Sequence, residues 1–285
     1  MLDRVDRVLV AVKDRRAAAE NYHALLGTEV VAERPSERLG CDRSILALGT
    51  SEVELCEPHG EGPVADHLAQ WGEGLFAGGV STPNPIALQA RLASFGVPFA
   101  TEDEQILLEP EAFSGTRLVI SPARGRHRVG LATHLYELTC TLLNPWQPAV
   151  ERCTRMFGLD ASKYAPINSE RFGYDGMLTL FDPPAQLDRF EIVTASDANH
   201  AMGRFARKRG DALYMCYVET DALPEMIRRL DARRVTWTPR QPDPKQERDG
   251  LWIHPSGLNG LLLGVSRTGY AWTWSGRPEL VRPEG

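Results

Sequence analysis

The 285-residue sequence predicts an α+β protein made of four copies of one βαβββ module. Three observations carry this. A strand–helix–glycine segment near the start returns 131 residues later, and the strand pairs that follow it return as well. A closing pattern of Pro110, Gly115 and Leu118 returns 145 residues on as Pro255, Gly260 and Leu263. Several features at nearly constant offset mark duplicated supersecondary units.

Residues 5–28, VDRVLVAVKDRRAAAENYHALLGT, open with Val8, Val10 and Val12 alternating with their neighbours, as strand residues do. Tyr22, Leu25 and Leu26 then fall at helical spacing, and Gly27 is a helix stop. Residues 136–159, YELTCTLLNPWQPAVERCTRMFGL, repeat the plan through Asn-Pro to Phe157-Gly158. Residues 44–58 and 176–193 each read as two strands around a turn. Residues 74–99 and 211–237 each read as strand, helix and strand. The modules therefore lie near 5–58, 74–122, 134–195 and 211–266. They pair into residues 1–122 and 134–270, with 123–133 as a linker and 271–285 as a Trp-, Pro- and Arg-rich tail that packs as an arm.

Apolar residues make up 42% of the chain and charged residues 25%, the balance of a globular protein. The formal charge of −6 is spread along the chain, so no basic nucleic-acid face is expected. No apolar run is long enough to span a membrane, and the first residues lack the shape of a signal peptide. Cys41, Cys56, Cys140, Cys153 and Cys216 are an odd set without a CxxC, which reads as free thiols in a reducing cytoplasm.

The stretches VDRVLVAVKDRRAAAENYHALLGTEV, SEVELCEP and LWIHPSGLNGLLLGV resemble the vicinal oxygen chelate superfamily, which includes glyoxalases, bleomycin-resistance proteins and extradiol dioxygenases. The resemblance covers nearly the whole chain. It implies that two modules curl into each of two cup-shaped mixed sheets with helices outside. It also implies a divalent metal in a cup, held by His, Gln and Glu side chains of the first and last strands.

Placing those ligand positions by counting back from each helix-ending glycine gives Arg7 and Leu138. The strands opening modules 2 and 4 give Ala77 and Leu213, and the closing strands give Glu54, Glu191, Val119 and Gly264. One glutamate per cup cannot hold a transition metal, which needs three or more ligands. No metal or other cofactor is therefore expected. In the first cup, Arg7 and Glu54 read either as a structural ion pair or as a guanidinium that replaces the metal beside a general base. Ala77 and Gly79 would leave room there for substrate. In the second cup, Glu191 reads either as part of a vestigial structural half, reaching solvent or a backbone donor, or as a general acid or base raised by its apolar surroundings. Leu138, Cys140, Leu213, Met215 and Tyr217 are its expected lining, and Tyr136 a polar partner. His254, in an Ile-His-Pro-Ser-Gly turn, is a weaker candidate. The expected function is a metal-independent isomerase, epimerase or lyase acting on a small oxygenated, aromatic metabolite. The alternatives are a non-catalytic binder of the bleomycin-resistance type and, third, a ring-cleaving dioxygenase. The expected partner is a small-molecule ligand, with a homodimer as a further option and neither nucleic acid nor membrane.

Overall fold

The structure is a computed structural model that describes residues 1–183, 185–240 and 249–281. Its first half runs β1 (Val5–Ala11), α1 (Arg15–Leu26), β2 (Glu29–Ser36), β3 (Cys41–Leu48), β4 (Ser51–Pro58), α2 (Pro63–Trp71), β5 (Gly74–Thr82), α3 (Pro85–Ser94), β6 (Ala100–Glu102), β7 (Gln105–Leu108) and β8 (Leu118–Pro122). The second half runs β9 (Ala132–Leu142), α4 (Gln147–Phe157), β10 (Ala165–Ser169), β11 (Tyr174–Leu180), β12 (Arg189–Thr194), α5 (Ala201–Arg209), β13 (Ala212–Thr220), α6 (Leu223–Ala232), β14 (Trp237–Pro239), β15 (Gly250–Ile253) and β16 (Leu263–Arg267).

Each half forms one eight-stranded mixed sheet. The orders are β2-β3-β4-β1-β5-β8-β7-β6 and β10-β11-β12-β9-β13-β16-β15-β14, the same path traced twice. The first and fourth strands of a module pair in parallel, and the two modules of a half join through antiparallel first strands. Two bulges also recur. Asp6 and Tyr136 are the extra residues of one, and Phe76 and Tyr214 those of the other. A bulge re-aims side chains and is a built feature of a sheet. Its recurrence at matching positions is strong structural support for duplication.

Local chemistry sets the elements. Asp14 caps α1 by accepting hydrogen bonds from the amides of Arg16 and Ala17, and Gly27 ends the helix in the left-handed conformation at φ 73°. Tyr22, Leu25 and Leu26 are fully buried, each contributing about 1.5–3 kcal/mol. The recurring Pro…Gly turns have a packing cause. A Cβ on Gly115 would lie 1.8 Å from the Asp211 carbonyl oxygen, and one on Gly260 2.0 Å from that of Glu73. Each half thus presses a bare glycine onto the backbone of the other.

The convex faces share one apolar core. Val8 and Val10 of β1, Leu138 and Cys140 of β9, and the inner stripes of α1, α3, α4 and α6 all belong to it. Gly78 permits the contact, since a Cβ there would meet Leu138 Cδ1 at 2.6 Å. Leu138, Cys140 and Leu213 therefore face this core, which corrects their expected place in the second cup. The cause lies in the Asn144-Pro145 turn. Thr141, the ladder counterpart of Ala11, lies 17 residues before its helix-ending glycine, against 16 for Ala11. One residue of slip turns a strand side chain to the other face. In the second half of the cup, Leu213 matches Leu75, and both face the core.

Candidate functional site

The concave faces of the two sheets carry the remaining polar groups, and they differ sharply. In the first cup the stem of Arg7 crosses Gly79, where a Cβ would sit 2.1 Å from Arg7 Cγ. The space expected above Gly79 is thus filled by the arginine itself, and Ala77 packs with Leu9, Leu107 and Val119. The Arg7 guanidinium pairs with Asp6 and Glu52, each at 3.1 Å, and with Glu54. The second Glu54 oxygen accepts from Arg43 at 3.1 Å. Arg126, between the two halves, donates to Asp6 at 3.1 Å and to Glu52 at 3.0 and 3.1 Å. Three guanidiniums thus meet three carboxylates. The cleft left beside them is about 250 Å³ and is rimmed by further charges, among them Arg34, Asp103 and Arg124.

In the second cup the ladder sets Glu137 at the place of Arg7, Arg189 at that of Glu52 and Glu191 at that of Glu54. The cation and its partner have exchanged strands. Arg43 has become Gly176, where a Cβ would be 2.2 Å from the Ile192 carbonyl oxygen. This cup therefore has two carboxylates on the floor and one guanidinium. Arg189 is fully buried, donates to Glu137 at 2.7 Å and stacks 4.9 Å over the ring of Tyr136. Among the described residues, no guanidinium lies at hydrogen-bonding distance from Glu191.

Thr139 joins the two acids. Its Oγ1 lies 3.1 Å from Glu137 Oε1 and 2.7 Å from Glu191 Oε2. A threonine hydroxyl has one hydrogen, so it can donate along only one of these links. The other link requires a protonated carboxyl that donates to Oγ1. Burial drives the Glu191 carboxyl well above the ordinary range, and the negative charge of Glu137 adds to this. Glu137 is the carboxylate paired with Arg189. Tyr174 stands beside Glu191 in the cavity lining, and burial first, then the Glu191 charge, pushes its phenol up.

Above this floor opens a cavity of about 460 Å³. Phe172, Tyr174, Tyr214, Tyr217, Trp252 and Trp274 wall it among the described residues. Tyr217 lies on Gly264, where a Cβ would be 2.2 Å from its ring, and its hydroxyl accepts from Trp252 Nε1 at 2.6 Å. Met215 joins the wall, so it and Tyr217 stand where the sequence placed them. The tail holds the far end of the cup. Ala271 and Trp272 pack against Tyr136, Leu178 and Leu180, and Trp274 reaches the cavity. Residues 282–285 of the expected arm lie outside the described residues. Tyr136 is fully buried and bonded to Ser266 at 3.0 Å, beside the cavity wall. His254 has a double position. Its carbonyl accepts the amide of Gly257 in the turn, while Nε2 meets Thr238 Oγ1 at 2.8 Å on the cavity rim.

The metal implied by the resemblance does not fit the side chains present. In the first cup a guanidinium occupies the ligand corner. In the second, one carboxylate is tied to Arg189, the other is bound to the Thr139 hydroxyl, and the last two positions are a phenol, Tyr217, and Gly264. Among the described residues, no group of three or more His, Cys, Asp or Glu side chains is placed to hold an ion.

The sequence reading missed Glu137, Thr139, Arg189 and Tyr174 in this cup, and Asp6 and Arg43 in the other. A usable signal was present in TYR-GLU-LEU-THR-CYS-THR-LEU order at 136–142. Polar residues at 137, 139 and 141 alternate with apolar ones at 138, 140 and 142, which puts the polar set inside the cup.

Comparison with known proteins agrees with this architecture. The chain superposes on a triple mutant of 4-hydroxymandelate synthase from Streptomyces coelicolor with a TM-score of 0.73 and 13% identity, over 94% of this chain and 93% of that one. A xylose isomerase-like TIM barrel/4-hydroxyphenylpyruvate dioxygenase fusion protein gives 0.64 at 13% identity, over 98% of this chain and 52% of the other. In sequence, the ethylmalonyl-CoA/methylmalonyl-CoA epimerase of Cereibacter sphaeroides is 38% identical over 69 residues, 24% of this chain. The chain spans about half (52%) of the length of that curated relative. No family model matches. Duplicated modules, curled mixed sheets and these neighbours together define the class: the chain has the fold of the vicinal oxygen chelate superfamily. No described helix is long and apolar enough to cross a membrane.

Proposed function

We propose that the second cup is the working site and performs metal-independent acid–base chemistry on a small oxygenated, aromatic metabolite. The reaction class is isomerisation, epimerisation or elimination by carboxylate proton transfer. One observation carries the reading: a buried carboxyl bound to a hydroxyl and, among the described residues, to no guanidinium, Glu191, lies on the floor of an aromatic-walled cavity. A carboxyl held neutral can donate to a carbonyl or enol oxygen. Once ionised beside Glu137 it is a strong base toward a neighbouring carbon acid. The aromatic walls favour a flat ligand and exclude water from the transfer. Epimerisation, the activity in the curated relative's name, is one of these transfers. Under this reading the ion cluster around Arg7 and Glu54 is structural and fills the first cup.

A second reading, non-catalytic sequestration, draws on the same walls, because Trp252, Trp274 and Tyr217 suffice to hold a flat molecule. A thermal-shift screen against aromatic acids, keto acids and CoA thioesters supplies ligands for both readings. Hits are then incubated in D2O and followed by proton NMR. Catalysis predicts wild-type exchange of a carbon-bound hydrogen that Glu191→Gln abolishes while binding persists. A ligand bound equally by both proteins, with no exchange or conversion in either, would establish the binder instead.

A further inference from the structure

The exchanged charges of the two cups point to a specific task for Glu137. We infer that Glu137 is a positioning residue for Glu191: fixed as an anion by Arg189, it keeps one proton on the Glu191–Thr139 link and makes Glu191 the proton store of the site. This rests on the second cup being the working site.

The geometry leaves little choice. Glu137 Oε2 is committed to Arg189 Nε at 2.7 Å and Oε1 to Thr139 at 3.1 Å. Arg189 is itself held by Tyr136 beneath it and by the Leu187 carbonyl oxygen at 3.2 Å. Among the described residues the other groups that act on Glu191 are uncharged: the hydroxyls of Thr139 on β9, Tyr174 on β11 and Tyr217 on β13, and the Cys140 thiol. Arg240 and His254, at the rim, are occupied by Asp249 at 3.3 Å and Thr238 at 2.8 Å. Among the described residues the floor therefore holds one buried cation, Arg189, for two carboxyls, and its neutral state has one proton.

Two consequences follow for the chemistry. A ligand oxygen that reaches Glu191 meets a neutral donor, while the Glu137 carboxylate beside it is tied to Arg189. When Glu191 gives its proton to that oxygen, the floor carries two negative charges against Arg189, so Glu191 is driven to take a proton back. If it takes that proton from carbon, the sum is a proton moved within the substrate, with nothing oxidised or reduced. Thr139 holds the two carboxyls in register throughout. The first cup lacks this device because Arg43 supplies the second cation there.

Infrared spectroscopy of the full-length protein tests this without any ligand, through the carbonyl stretch of a protonated carboxyl above all carboxylate bands. At neutral pH the wild type should show a band that disappears in Glu191→Gln and remains in Glu54→Gln, apart from the separate contribution of Asp188, which Asp188→Asn removes. In Glu137→Gln the band should titrate away at lower pH, because the neighbouring negative charge is gone and Arg189 is free to pair with Glu191. Should that variant fail to fold, Thr139→Val serves, and its band should persist but shift as the hydroxyl link is lost. No Glu191-dependent band in the wild type, an unchanged titration in Glu137→Gln, or an unshifted band in Thr139→Val would overturn the inference. The proposed function fails on separate grounds, if no ligand occupies the second cup.

Discussion

The two cups of this protein are the same ladder filled in opposite ways. In the first, Arg7, Arg43 and Arg126 meet Asp6, Glu52 and Glu54, and the space over Gly79 is taken up by an arginine stem. In the second, the cation and anion have changed strands, the second arginine is a glycine, and a cavity opens over an acid with no cation of its own. A buried charge must be compensated or neutralised. The first cup compensates with guanidiniums and keeps only a smaller, charge-rimmed cleft. On the proposal above, the second neutralises with a proton, and a proton can be moved. Balance of charge, more than the presence of any one residue, separates structural filling from candidate chemistry on a shared fold.

Five variants press on this contrast. The largest effect is expected at Glu191. Glu191→Gln should lower any turnover by about 100-fold or more, the scale of a lost general acid–base, while Glu54→Gln leaves turnover per folded molecule within a few-fold. Steady-state rates normalised to folded protein compare them. Equal losses would erase the distinction between the cups.

Arg7→Met should act on stability instead. It takes one cation from a buried cluster and leaves Glu54 with Arg43 alone. Breaking such a cluster costs about 3–5 kcal/mol, read as a lower urea midpoint, with ligand affinity of the remaining folded protein unchanged. A stability loss under about 1 kcal/mol would show that the cluster is solvated and not the filling described.

The junction of the halves supplies a pH test. Asp188 accepts the Val5 amide at 2.7 Å, and burial pushes its carboxyl up to about 8. In the unfolded chain the same group ionises near its ordinary value of 3.8. Its contribution is therefore full below about pH 4 and is lost as pH rises toward about 8, with a slope of up to about 1.4 kcal/mol per pH unit. Asp188→Asn should flatten that part of the stability–pH curve measured by urea unfolding. An unaltered slope would mean that Asp188 ionises normally in the folded protein.

The smallest effect is expected at the tail. Trp274→Ala removes one ring from the cavity wall and should weaken a flat ligand by about 1 kcal/mol, a several-fold rise in Kd by calorimetry. An unchanged Kd would place the ligand elsewhere.

Much of the fold was legible because it was written twice. The Val8-Val10-Val12 alternation, the glycine stops at Gly27 and Gly158, and the Pro…Gly turns each have one local cause that acts in both halves. The site was legible only where the count survived. Glu54, Glu191, Met215 and Tyr217 line the cups as expected, but one extra residue at the Asn144-Pro145 turn moved Leu138 and Cys140 into the shared core and hid Glu137 and Thr139. Arg43, Asp6 and Arg189 were out of reach for another reason. Their importance lies in contacts across strands, and a linear pattern gives the face of a residue without naming the charge opposite it.

The central claim is that ligand enters the second cup. A crystal structure of the protein with the first ligand from the thermal-shift screen tests it most directly. The account predicts density between Trp252 and Trp274 with a ligand oxygen at hydrogen-bonding distance from Glu191. Ligand bound beside Arg7 and Glu54, with the second cup unaltered, would contradict it.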